Sequence, residues 1–127
     1  MTWCTDADLA VYEHDIGEYR ISGAADFSAQ RGAAAVEINE RLRSKYGETD
    51  TASIAADSAA GEALKRAEVF KTLELVFAAH SGAPGDVFDL KRQRYQKNFE
   101  REMSFLSTDG LSEGVDRSAA DVFLGRA

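Results

Sequence analysis

Along this chain the apolar side chains return at intervals of three and four, the spacing that lays a single stripe along an α-helix. Four elements follow from it. Thr5-Asp6-Ala7-Asp8 has the T-x-x-D form of a capping box, in which the threonine hydroxyl accepts an inner backbone N–H and the aspartate reaches back. It predicts a short first helix over about residues 6–14. From Asp26 to about Tyr46 the positions Phe27, Ala34, Ile38, Leu42 and Tyr46 recur mostly at intervals of four, with Ala35 on the same face, and Gly47 stands where a left-handed C-cap uses glycine. Ala63, Ala67, Phe70, Leu73 and Phe77, between a Ser58 cap and the terminator HSGAPG, predict a third helix over residues 60–80. Val69, Leu75 and Val76 widen its stripe, which puts it in the middle of a bundle with neighbours on more than one side. After Pro84, Phe88, Tyr95, Phe99, Met103 and Leu106, with Leu90 beside them, carry a fourth helix from about Asp86 to Phe105.

The connections are less regular. EYRIS, between Gly17 and Gly23, alternates Tyr19 and Ile21 and fits either a short extended piece or a packed loop, and GETDTASIAADS reads as a loop or weakly ordered connection. Beyond residue 106 the helical period is lost. Small and acidic residues there lead to the apolar patch Val122, Phe123 and Leu124 and to Arg126, an ending that needs somewhere to dock. The fold expected is all-α: a small bundle of three to four helices with a short N-terminal helix and an extended C-terminal tail. Residues 1–106 would form the bundle and residues 107–127 the docking tail.

Composition makes that bundle a lean one. A chain of 127 residues is one domain, and of its 44% apolar residues 21 are alanine, while Leu, Ile, Val and Phe together number 27. So thin a core profits from burial against a partner, and assembly is expected. The net charge of −7 argues against a protein whose main task is to neutralise phosphates. That charge is unevenly spread. Residues 1–30 carry six acids against one base, whereas Lys91, Arg92, Arg94, Lys97 and Arg101 place five cations in eleven residues of the fourth helix. This flank fits a solvated face, pairing with the acidic second or third helix, an acidic neighbour in an oligomer, or nucleic acid contacted through cations interleaved with Tyr95 and Phe99. The aromatic stripe itself reads as core.

Little in the chain suggests catalysis. Cys4, the single cysteine, falls in the first residues, where a mobile end is expected, and reads as a buried or incidental thiol beside Trp3. It excludes an intramolecular disulfide and fits a reducing compartment. His14 and His80 fall at helix ends, where an imidazolium meets the C-terminal dipole, and read as structural. Two histidines far apart form no metal-binding pair, DGLSEGVD lacks the alternating ligands of a calcium loop, and SGAPG has no following Lys-Ser or Lys-Thr for a phosphate cradle. No enzyme, cofactor or metal is expected, and no apolar run is long enough for a membrane span.

The order of motifs TDADLAVY, AAVEINERLRSKY, KRAEVFKTLELVF and RYQKNFEREMSFL, followed by the tail DGLSEGVDRSAADVFLGRA, resembles the head-tail connector (adaptor) proteins of tailed bacteriophages and of phage-like gene transfer agents. The resemblance covers most of the chain. It implies a noncatalytic structural protein, made in the bacterial cytoplasm and resident in the neck of the particle. A ring of copies, commonly twelve, would sit beneath the portal protein and above a downstream tail or stopper protein, with the C-terminal tail reaching the portal. DNA would pass through the channel without sequence recognition. The interaction residues expected are Lys91, Arg92, Arg94, Lys97 and Arg101 on the fourth helix and Val122, Phe123, Leu124 and Arg126 in the tail. Two other classes remain open: a small helical regulatory or binding module using residues 91–101, on nucleic acid among other partners, and a small enzyme.

Overall fold

The computed structural model describes residues 3–20, 24–46, 54 and 56–106. It contains four α-helices: α1 (Asp6–Tyr12), α2 (Ser28–Tyr46), α3 (Ala59–His80) and α4 (Val87–Phe105), with a 3-10 turn, Ile16–Tyr19, between the first two. No strand occurs among the described residues, and none of the described helices is long and apolar enough to cross a membrane. The molecule is an all-α bundle, as its periodicity predicts. α3 is the central element. It makes its most extensive contact with α4, a smaller one with α2, and carries α1 near its N-terminal half.

Local chemistry sets the ends of these helices. Thr5 and Asp8 form the capping box of α1, the carboxylate accepting the Thr5 N–H at 2.8 Å. α1 stops at Tyr12 rather than at residue 14, because Glu13 is extended (φ −136°) and its side chain turns inward to α4. α2 begins two residues later than its periodicity suggests. The Asp26 carboxylate accepts the Ser28 N–H at 3.0 Å, holding the entry in a turn. Ser58 caps α3 by accepting the Gly61 N–H at 3.0 Å. Replacing Ser58 with alanine orphans that donor and is expected to lower stability by about 1 kcal/mol, read as a shift in the urea midpoint at constant slope.

The core is built from the expected positions: Phe27, Ala34, Ala35, Ile38 and Leu42 of the α2 region, Ala63, Ala67, Phe70, Leu73 and Phe77 of α3, and Tyr95, Phe99, Met103 and Leu106 at α4 are all buried. Alanines take many of these sites. Their small volume leaves the aromatic rings to do most of the filling. Phe77 stacks with Phe88 and Tyr95, and Tyr19 of the 3-10 turn meets Phe77, Phe88 and His80 edge-on or nearly so. The first part of EYRIS is thus a packed turn. Residues 21–23 and most of the GETDTASIAADS connection lie outside the described residues, as does the tail over 107–127.

Leu90 departs from expectation. It is 58% exposed, because it follows Phe88 by two residues and so points about 200° around the helix from the core stripe.

Candidate interaction surface

α4 starts from a carboxylate-rich turn. Asp86 accepts the N–H groups of Gly82, Ala83 and Asp89 at 2.8 to 3.0 Å, and Gly85, at φ +83°, takes the left-handed conformation the turn requires. Asp89 accepts the Gly85 N–H and binds Arg92 and Gln93. These backbone donors hold both carboxyls below the usual aspartate range. The helix therefore leaves its first turn in a fixed direction.

From that start the five cations of α4 separate into two groups. Lys91 is half-buried: its ammonium binds the Glu13 carboxylate at 2.6 Å and lies 5.1 Å from the centre of the Phe77 ring. Arg92 folds back on Asp89 at 2.8 Å and reaches Gln96 at 3.2 Å. Neither pairs with α2 or α3. Both are engaged within the chain, Lys91 with Glu13 after α1 and Arg92 along its own helix, so intrachain pairing holds for these two with partners other than the second or third helix. Arg94, Lys97 and Arg101 are exposed, and none is in an ion pair among the described residues. Arg94 lies 5.9 Å from the centre of the neighbouring Tyr95 ring.

These three continue a line begun by Val87 and Leu90. Positions 87, 90, 94, 97 and 101 are spaced by three, four, three and four, which places them on one stripe of α4, turned away from the core positions Tyr95 and Phe99. Val87 is 59% exposed and Leu90 58%. The stripe is apolar at its N-terminal end and cationic at its C-terminal end. The tail residues Val122, Phe123, Leu124 and Arg126 lie outside the described residues.

On the other flank of α4 the charges are consumed internally. Arg41 of α2 binds Glu100 at 2.7 Å and Glu37 at 3.3 Å, while Lys71 of α3 binds Glu37 and Glu74; both cations sit over the Phe99 ring. The Arg41 pair holds the Glu100 carboxyl below its ordinary range. Arg66 of α3 binds Glu102 at 3.0 Å. These contacts lock three helices together and leave Arg94, Lys97 and Arg101 on the outer stripe without ion pairs among the described residues.

Two buried carboxylates escape a reading of the sequence. Glu13 binds Lys91 through one oxygen and the Tyr95 hydroxyl through the other, and burial together with this carboxylate pushes the Tyr95 phenol well up. Glu68, in the middle of α3, is fully buried at 0% exposure. Its carboxylate accepts the N–H of Trp3 at 3.0 Å and of Cys4 at 2.8 Å, while Arg31 holds the Cys4 carbonyl at 3.2 Å and the Asp6 carboxylate at 3.0 Å. Cys4 is thus a buried, anchored residue and not part of a mobile end. Burial and the adjacent Glu68 push its thiol up, which keeps it protonated and unreactive. His80 engages the Tyr19 carbonyl at 2.7 Å through Nε2 and packs on Phe88; His14 is exposed in the turn after α1. No group of three or more metal-ligating side chains converges among the described residues.

Among the described residues the fold is a small helical bundle, and α4 carries a cationic, partly apolar outer stripe. No protein-family model matches the chain, and neither a curated protein nor a solved structure gives a match.

Proposed function

We propose that the protein is a noncatalytic head-tail adaptor of a phage or phage-like particle, closing into a ring beneath the portal, around the DNA channel, and linking head to tail. The observation that carries this reading is a separation of unpaired charge. Arg94, Lys97 and Arg101 on α4 stand without ion pairs among the described residues, and so do the exposed acids Asp15, Glu18 and Asp26 between α1 and α2. A ring closed by head-to-tail contacts needs two different, complementary surfaces on each copy. The lean core and the order of the helices support the same reading. Use of residues 91–101 on nucleic acid is less favoured, because Lys91 and Arg92 are already engaged and a net charge of −7 opposes phosphate binding at long range.

The test is a mass measurement of the protein alone and mixed with portal rings. The full chain should co-sediment with the portal as a closed oligomer. The triple charge reversal R94E/K97E/R101E should lose the oligomer, and deletion of residues 107–127 should lose the portal. A wild-type chain that stays monomeric beside the portal sinks the proposal.

A further inference from the structure

A groove of about 270 Å³ lies between α1 and α3. Val11, Tyr12 and Val69 form its apolar wall; Val69 is buried, while Val11 is 77% exposed and Tyr12 43%. An edge-on contact with Phe70, 5.1 Å between ring centres, fixes Tyr12 in place, so this wall is anchored to the core. Among the described residues the large apolar side chains left exposed are these two, Val36 of α2, and Val87 and Leu90 at the start of the α4 stripe. One pair lines a hollow and the other stands out from a helix. Both are open to water in the same chain, so a chain's own α4 does not fill its own groove. We propose that Val87 and Leu90 of one copy seat in the α1–α3 groove of a second copy.

Charge favours the same occupant. Of the charged side chains that line the groove, Lys65 pairs with Asp8 at 3.4 Å and Arg66 is taken by Glu102 of α4 at 3.0 Å, which leaves Glu62 without an ion pair among the described residues. Asp15 and Glu18, also exposed and unpaired there, follow Tyr12 by three and six residues. The charge left over around the groove is therefore acidic. On the α4 stripe Arg94, Lys97 and Arg101 follow Leu90, so an apolar end seated in the groove carries them about 6 to 17 Å further along the helix, past the groove's rim. A pair of α4 stripes, or a pair of grooves, would leave these charges unmatched. The contact thus joins unlike surfaces, and each pair of copies keeps one stripe and one groove free for the next. It names the surface that receives the α4 stripe, and it rests on the reading of that stripe as a contact between copies.

Sedimentation velocity of the full chain, without a portal, tests the contact. The wild type should gain mass with rising concentration and pass beyond a dimer. V11D and L90D each put a carboxylate at an exposed position, one in the groove and one on the stripe, and each alone should stay monomeric with unchanged helicity. Mixed one to one they should form a dimer and nothing larger, because the intact stripe of the V11D chain fits the intact groove of the L90D chain and the remaining two surfaces are blocked. E62K added to the L90D chain, whose groove is the one in use, should weaken that dimer about fivefold. A wild type that stays monomeric at every concentration overturns the proposal, as does self-association of either variant alone, a mixture that stays monomeric, or an E62K chain that binds no more weakly. A mixed dimer formed by a protein that ignores portal rings upholds this contact and overturns the adaptor role; portal-bound oligomers of V11D do the reverse.

Discussion

Replacing Glu68 with alanine is expected to destabilise the protein by about 3 kcal/mol, and replacing it with glutamine by about 1 kcal/mol. The difference lies in the geometry of one carboxylate. Glu68 Oε1 accepts both the Trp3 and the Cys4 N–H, at 3.0 and 2.8 Å, while Oε2 accepts only the Trp3 N–H. Glutamine with its carbonyl at the first position keeps an acceptor for both donors and sets its NH2 group against one of them. Alanine removes every acceptor and leaves the buried Cys4 N–H without a partner, a loss that outweighs relief from holding a charge at 0% exposure. The effect should begin locally. Trp3 is the only tryptophan, so release of residues 3–5 appears as a red shift of fluorescence at urea concentrations where helicity is still intact. An alanine variant whose fluorescence and helicity transitions both coincide with those of the wild type would refute the clamp.

Glu68 also marks where the sequence stops being legible. The stripes of α2, α3 and α4 could be read because each repeats a large or small apolar residue every three or four positions, and the buried set matches them closely. Within α3, Glu68 and Lys71 look like solvent-facing charges by default, since acidic and basic side chains are almost never fully buried without partners. Their partners are remote: backbone N–H groups 64 and 65 residues away for Glu68, and a carboxylate of α2 for Lys71. Helical period carries no trace of such pairings. A faint signal existed in the breadth of the α3 stripe, which leaves its central residues little open surface and so draws polar positions inside as well.

The basic flank of α4 shows the same limit from the other side. Five cations in eleven residues look alike as sequence, yet Lys91 falls next to the inward-turned Glu13 and Arg92 one turn after Asp89, while Arg94, Lys97 and Arg101 share the outer stripe. What separates them is angle around the helix and the place where α1 ends. The candidate surface was therefore legible as a helix and as a charge, and separating its cations needed the inward turn of Glu13 after Tyr12.

Phe77 lies in the apolar stripe of α3 and Leu90 beside that of α4, and substitution should divide them sharply. Phe77→Ala is expected to cost about 4 kcal/mol, because the ring is fully buried and the site has few ways to collapse. Tyr95 and Phe88 stack on it with centroids 6.0 and 6.1 Å away, Tyr19 meets it at 5.7 Å, and the Lys91 ammonium lies 5.1 Å from its centre. Removing the ring deprives all four of contact, and through Lys91 and Tyr95 it loosens the Glu13 junction that ties the end of α1 to α4. For a domain of this size the melting temperature should fall by about 15 °C. Leu90→Ala removes a side chain that is mostly in water and should change stability by no more than about 0.5 kcal/mol. Thermal unfolding of the two variants decides the matter: comparable losses would mean that Leu90 belongs to the core and that the outer stripe of α4 is drawn wrongly.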